Sequence, residues 1–208
     1  PVKWHHDWPM MGASRDGVAV PVLHHAKPAA GNGRLAPQTS DEFDSATLGL
    51  QWQWHANHVD SWHELSRRKS WLRLHPQFTA HEKLSHIPNL LLQKLPARAI
   101  TVKTALDFSH AQPGEEAGLI IAGESSVVLA LEKTAAGTQL ILRTDTAKKV
   151  LQAAVPDSLP LQVAIEDGGR CTFSFAFADR PTSISEIFLA KKGSWVGGNI
   201  GLCSGTSQ

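Results

Sequence analysis

From residue 41 onward, apolar and polar positions alternate in short runs broken by turn residues, the mark of strands with one buried face. The pattern predicts strands at 49–54, 62–66, 70–75, 90–95, 98–109, 116–122, 126–132, 137–143, 160–166, 170–177 and 195–202. Turn chemistry separates them at Gln112-Pro113-Gly114, Ala136-Gly137, Asp157 to Pro160 and Asp167-Gly168-Gly169. Thr172 to Phe177 alternates cleanly and sets Phe173, Phe175 and Phe177 on one face. Residues 146–154 read equally as a short helix or as a strand and turn. Many short strands without long helices predict an all-β, antiparallel sandwich.

The first 40 residues carry a different pattern. Trp8 to Gly12, the turn at Asp16-Gly17 and Val18 to Leu23 read as a strand, a turn and a second strand, a hairpin too small to stand alone. Residues 26–40 are rich in Ala, Gly and Pro with almost no periodicity, as in a linker. The expected organisation is a hairpin at 1–25, a linker at 26–40 and a sandwich at 41–208. Pro1-Val2-Lys3-Trp4 offers neither an initiator Met nor the apolar core of a signal peptide, so the chain is expected to begin inside a longer protein.

Asp41 to Leu74 concentrates the candidate chemistry, with four of the seven Trp at positions 52, 54, 62 and 71. Read as a strand, Leu50, Trp52 and Trp54 share one face, and Gln51, Gln53 and His55 the other. Either face suits a carbohydrate. Trp52 and Trp54 could stack on sugar rings about 7 Å apart. Gln51 and Gln53, with Arg73 close by, could bind hydroxyls through planar amide and guanidinium donors. Core packing is the competing use of the rings.

Composition narrows the rest. A net charge of +1 provides no field for nucleic acid or an anionic membrane. No apolar run approaches the ~20 residues of a membrane-spanning helix. Cys171 and Cys203 make no disulfide framework and read as buried thiols. Asp41 and Asp44 supply oxygens for a structural calcium ion, or accept backbone bonds in a turn. The His55, His58, His63 spacing would converge only on a helix, and with neither Cys partners nor an H-E-x-x-H pattern it points away from zinc, toward exposed polar His. Glu115 and Glu116 are adjacent on a strand and face opposite ways, so they do not form a catalytic pair. Neither a G-x-S-x-G motif nor a P-loop is present, and the chain shows no complete catalytic constellation.

Several runs occur in one order: Phe43-Asp44, Leu48-Gly-Leu-Gln-Trp-Gln-Trp54, Trp71-Leu-Arg-Leu74, Asn89-Leu-Leu-Leu-Gln93, Ala117-Gly-Leu119, Gly193-Ser-Trp-Val-Gly197 and Gly201-Leu202. Together they resemble the C-terminal concanavalin A-like sandwich of family 43 glycoside hydrolases, the β-xylosidase and α-L-arabinofuranosidase group. Trp8 to Gly12, Asp16-Gly17 and Pro21-Val22 resemble the closing strands of that family's five-bladed propeller. The resemblance implies a jelly-roll accessory module preceded by a propeller remnant, with the catalytic carboxylates on the propeller and none in this chain. It implies no required cofactor. The implied partners are xylan or xylo-oligosaccharide and the catalytic propeller of its own parent chain. Two departures are the absence of Tyr and the chain end at Gly205 to Gln208, where many members carry a further strand; an open sheet edge is expected there.

Overall fold

The structure, a computed structural model, describes residues 2–26, 36–78, 83–177, 180–194 and 196–206. The chain forms two compact units, Pro1–Ala36 and Pro37–Gln208. Residues 27–35, the middle of the expected linker, lie outside the described residues.

The first unit has two antiparallel hairpins where one was expected. Strands β1 (Val2–His5) and β2 (Trp8–Met11) form the first, and β3 (Ala13–Arg15) and β4 (Val18–Val20) the second. His6, Asp7 and Asp16 take positive φ in the turns that close them, a conformation short polar residues tolerate and bulky ones do not.

In the second unit, short strands β5 (Gln53–Trp54), β6 (His63–Glu64), β7 (Arg73–Leu74) and β8 (Gln77–Phe78) lie among loops. Longer strands follow: β9 (Leu91–Lys94), β10 (Ile100–Asp107), β11 (Glu115–Ala122), β12 (Val127–Thr134), β13 (Gly137–Thr144), β14 (Lys148–Gln152), β15 (Ser158–Ile165), β16 (Arg170–Phe177), β17 (Arg180–Leu189) and β18 (Asn199–Thr206). The large sheet runs β14-β13-β12-β11-β18-β9-β5, with β8 joining the end of β18 in parallel. The small sheet runs β10-β15-β16-β17. This is the concanavalin A-like antiparallel sandwich expected.

The sheets meet through one core. The large sheet contributes Leu119, Ile121, Leu129, Leu131, Leu140 and Ile200, and the small sheet Leu161, Val163, Phe173, Phe175 and Ile184. The opposite face of the large sheet is also apolar. There Ile120, Val128, Ala130, Ile141 and Cys203 are covered by Leu84, Ile87 and Leu90 from the segment before β9. Burial on both faces explains why β11 and β12 read as near-continuous apolar runs rather than alternating ones. Gly118 and Gly201 belong to neighbouring strands of this sheet, and a Cβ at either would strike the backbone of the next strand, at Leu129 and Leu91.

Several expectations change. The strand expected at 49–54 is reduced to Gln53–Trp54, because Leu50 and Gln51 form a turn closed by the Trp52 N–H donating to the Gly49 carbonyl (3.1 Å). Leu50 is fully exposed and shares no buried face with Trp52 and Trp54. Of the two readings left open for residues 146–154, the strand is the one found, as β14. Strand β17 was unforeseen: Pro181 and its Ser and Thr residues hide it, and it occupies a sheet edge, where proline is tolerated. β18 lies inside the large sheet between β11 and β9, so it does not form the open edge expected near the chain end. Cys171 and Cys203 are buried free thiols, as expected. Burial, aided by Glu116, pushes the Cys203 thiol up to about 12.

Candidate functional site

The Gln51 to Trp54 stretch folds around a single carboxylate. Asp41 accepts from the Phe43 backbone N–H on Oδ1 (2.9 Å), and from Gln51 Nε2 (3.0 Å) and Trp52 Nε1 (2.8 Å) on Oδ2. Gln51 and Trp52, expected on opposite faces, thus converge on one acceptor because the chain turns between them and β5. The Trp52 ring stacks on Phe43, centroids 5.7 Å apart at 24°. Phe43 holds φ of 52°, a strained value for an aromatic residue, with its N–H bonded to Asp41. Three N–H donors on one carboxylate fit the loop clamp expected as the alternative to an ion site, and Asp44 is exposed. Among the described residues no group of three or more His, Cys, Asp or Glu is placed to hold a metal ion.

Trp54 is enclosed by aromatic neighbours. His58 stacks parallel on it (5.7 Å, 5°), Trp62 meets it edge-on (5.8 Å, 70°) and His63 lies tilted against it (5.3 Å, 56°). His58, exposed as expected, and the half-buried His63 are therefore both part of an aromatic cluster. Trp62 is buried at the end of a short 3₁₀ turn, Asp60–Trp62, and its carbonyl accepts from the His75 N–H (2.9 Å). Gln53 donates through Nε2 to Asn199 Oδ1 on β18 (3.3 Å), tying β5 across the sheet. Arg73 lies on β7 opposite Glu64, half-buried and away from the Asp41 clamp. Beyond it, Arg68 lies over the Trp71 ring at 4.0 Å and pairs with Asp107 at 2.6 Å. Hydrogen bonds from Ser109, together with Arg68, hold the Asp107 carboxyl below its ordinary value.

The structure thus connects Gln51 and Trp52 through Asp41 and packs Trp54 within its own cluster, while Gln53 bonds to Asn199 and Arg73 sits on β7 opposite Glu64. Each of the two rings expected to form a sugar platform has one stacking partner within the fold, Phe43 on Trp52 and His58 on Trp54.

A second polar group, missed in the sequence, occupies the outer face of the large sheet. Glu116 on β11 stands directly opposite Glu132 on β12. Glu116 pairs with Arg143 of β13, while Glu132 accepts from Lys148 Nζ (2.8 Å) and Gln139 Nε2 (2.7 Å). Glu116 and Arg143 are only 12% and 17% exposed, so their charges are largely removed from water. Burial raises the Glu116 carboxyl above its ordinary value, against the pull of Arg143, and the facing Glu132 adds to the rise. Glu116, Glu132, Arg143 and Lys148 line a cavity of about 390 Å³ together with the β13–β14 turn. The signal that could have found it is hairpin register: Glu116 and Glu132 are 16 positions apart, which conceals their pairing in a linear reading.

Against known proteins, residues 40–208 match the family model described as the β-xylosidase C-terminal concanavalin A-like domain. A β-xylosidase of Formosa agariphila is 36% identical over 92 residues, 43% of this chain and 16% of its own length. A putative β-xylosidase of Xylanibacter ruminicola is 38% identical over 97 residues, 46% of this chain and 18% of its own. Among solved structures, a xylan β-1,4-xylosidase from Bacillus halodurans C-125 superposes with a TM-score of 0.70 at 19% identity, over 99% of this chain and 43% of that one. A bifunctional GH43-CE protein from Bacteroides eggerthii gives 0.73 at 19%, over 100% of this chain and 28% of that one. The chain therefore spans less than half the length of each of these relatives and neighbours.

Two outcomes follow from the ridge formed by residues 41–62. Asp41→Ala should lower unfolding free energy by roughly 1–3 kcal/mol in urea, the loss of three part-buried hydrogen bonds, while added Ca²⁺ leaves the wild-type midpoint unchanged; a Ca²⁺-dependent rise abolished by the variant would instead make Asp41 an ion ligand. The second concerns pH. Burial, then His58 and His75, hold the His63 imidazole below its ordinary value against the opposing Asp60, and among the described residues its buried Nδ1 has no hydrogen-bond partner. A depressed histidine stabilises the fold above its unfolded value and loses that contribution as pH falls through the folded value. Wild-type melting temperature should therefore drop as pH falls below about 6.5, with a smaller drop in His63→Gln; equal slopes would contradict it.

Proposed function

Residues 40–208 belong to the β-xylosidase C-terminal concanavalin A-like domain family, and from that premise we propose that the chain is the accessory module of a xylan- or arabinoxylan-degrading family 43 glycoside hydrolase. Its role is to support the substrate pocket of the catalytic propeller in its parent chain, with weak binding of xylo-oligosaccharide. The hairpins β1 to β4 would be the last strands of that propeller. The reading needs no cofactor, nucleic acid or membrane. It treats Asp41 as a loop clamp in place of a calcium ligand.

The observation that carries the reading is the family match across the whole sandwich. The packing of the ridge supports it: a loop held by Asp41 and an aromatic cluster around Trp54 is suited to presenting a fixed surface to a neighbouring domain. Its amides and rings make internal contacts, so the support role of the ridge outweighs a role as a sugar platform.

A complete hydrolase on the sandwich is the competing reading, and Glu116 opposite Glu132 is the arrangement it would use. Each of these carboxylates is instead paired with a cation, Arg143 on one and Lys148 on the other. A retaining pair needs a proton on one carboxyl and a lone pair on the other aimed together at the glycosidic oxygen and the anomeric carbon, and a counter-ion on each works against that. The purified 208-residue chain should release no p-nitrophenol from aryl β-xyloside or α-L-arabinofuranoside above the buffer rate. Sustained release that disappears in Glu116→Gln would establish the hydrolase instead.

A further inference from the structure

We infer that the cavity on the outer face of the large sheet, between Glu116, Glu132, Arg143 and Lys148, is a binding site for a neutral polyhydroxylated ligand, one or two pyranose units at the end of a chain. The inference rests on the module belonging to a saccharide-degrading enzyme and assigns the place where the saccharide is held.

The first ground is the way this face is divided. One half is apolar and capped by Leu84, Ile87 and Leu90. The other half carries the charged group and opens into the cavity. Asp145 marks the seam: it accepts from the Leu84 N–H (3.0 Å) and the Ser126 N–H (2.8 Å), so it fixes the edge of the cap while lining the cavity. A sandwich needing only stability would continue the apolar cap, because a largely buried ion pair is often no better than packed apolar residues of the same volume. Two carboxylates directly opposite on adjacent strands also repel. The fold keeps both.

The second ground is the chemistry of the lining. With Asp145 the lining holds three carboxylates and two cations, a formal charge of −1, and all five are already engaged, four in ion pairs and Asp145 by two backbone N–H groups. It offers a dense set of acceptors and donors fixed in place by their own pairing. An ionised carboxylate has about four acceptor positions, and Glu116 and Glu132 retain capacity beyond the bonds they make. Lys148 has three N–H donors and is 46% exposed on its side chain, with one donor bound to Glu132. Such a lining matches vicinal hydroxyls, each both donor and acceptor. Its volume lies at the lower end of ligand pockets, ~300–1,000 Å³. Among the described residues the lining contains no aromatic ring, so a sugar would be held by its hydroxyl edge.

The third ground is how the site is built. Arg143 stands two rows along the sheet from Gln139, yet it reaches Glu116 across β12. The register places Gly118 and Ala130 between the rows that carry Arg143 and Glu116, and these small residues leave room for the guanidinium to lie along the sheet.

The test is a ¹⁵N–¹H titration of the 208-residue chain with xylohexaose, cellohexaose and, as a control, NaCl. Perturbations confined to β11 to β14, weakened about tenfold in Glu132→Gln and in the surface variant Lys148→Ala, support the site; tenfold corresponds to one charge-assisted hydrogen bond. Saturation by cellohexaose alone at these residues also supports the site and overturns the xylan reading of the parent. Xylohexaose shifts at Gln51 to Trp54, unchanged in both variants, overturn the site and leave the accessory reading intact. No shift with either sugar at roughly 10 mM, above the usual range of weak sites, overturns the site. A response to NaCl equal to that of the sugars overturns it too.

Discussion

The large sheet must be covered on both faces, and the rest of the sandwich follows from how that is done. Its inner face is closed by the small sheet through Phe173, Leu161 and their neighbours. Its outer face is covered by the segment that includes Leu84, Ile87 and Leu90, which folds back over it. That cap is tied down by backbone donors on Asp145 and by Asn89, whose Nδ2 donates to the His75 carbonyl at 2.8 Å. Where the apolar cap ends, the Glu116–Arg143 pair begins, and burial raises the carboxyl in spite of its partner. The tension between a buried charge and its counter-ion is therefore concentrated at one place on the sheet, beside the cavity.

The ridge from Asp41 to Trp62 solves a different problem. It has little regular structure, so its shape rests on side chains: one carboxylate gathers three donors, and one indole gathers two imidazoles and a second indole. Gln53 then ties it to Asn199 on β18, inside the large sheet. A loop held in this way keeps its form without a ligand, which suits a support surface. The division of labour that results places rigidity in the ridge and open polar chemistry on the sheet.

Much of this was legible in the chain. The period of two at 170–177 identified β16 to the residue, and the apolar runs at 116–122 and 126–132 located the strands buried on both faces. The family signature in Leu48 to Trp54 was readable as a string of residues, but its geometry was not. Alternation suggested a strand, whereas the turn at Leu50-Gln51 sends Gln51 and Trp52 to one carboxylate ten residues upstream. β17 was hidden because an edge strand tolerates Pro181 and a run of hydroxyl residues that locally resembles a loop. The Glu116–Glu132 pairing was hidden for a similar reason. Adjacent glutamates at 115 and 116 drew attention to a pair that diverges, while the pair that meets is made by hairpin register, a property of the fold alone.

The most direct measurement is a crystal structure of the 208-residue chain grown with a short xylo-oligosaccharide such as xylotetraose. The account requires sugar density in the outer-face cavity, with hydroxyls on Glu132 and Lys148, and the rings of Trp52 and Trp54 still packed on Phe43 and His58. Sugar lying along Trp52 and Trp54, with the cavity empty and those contacts opened, would contradict it.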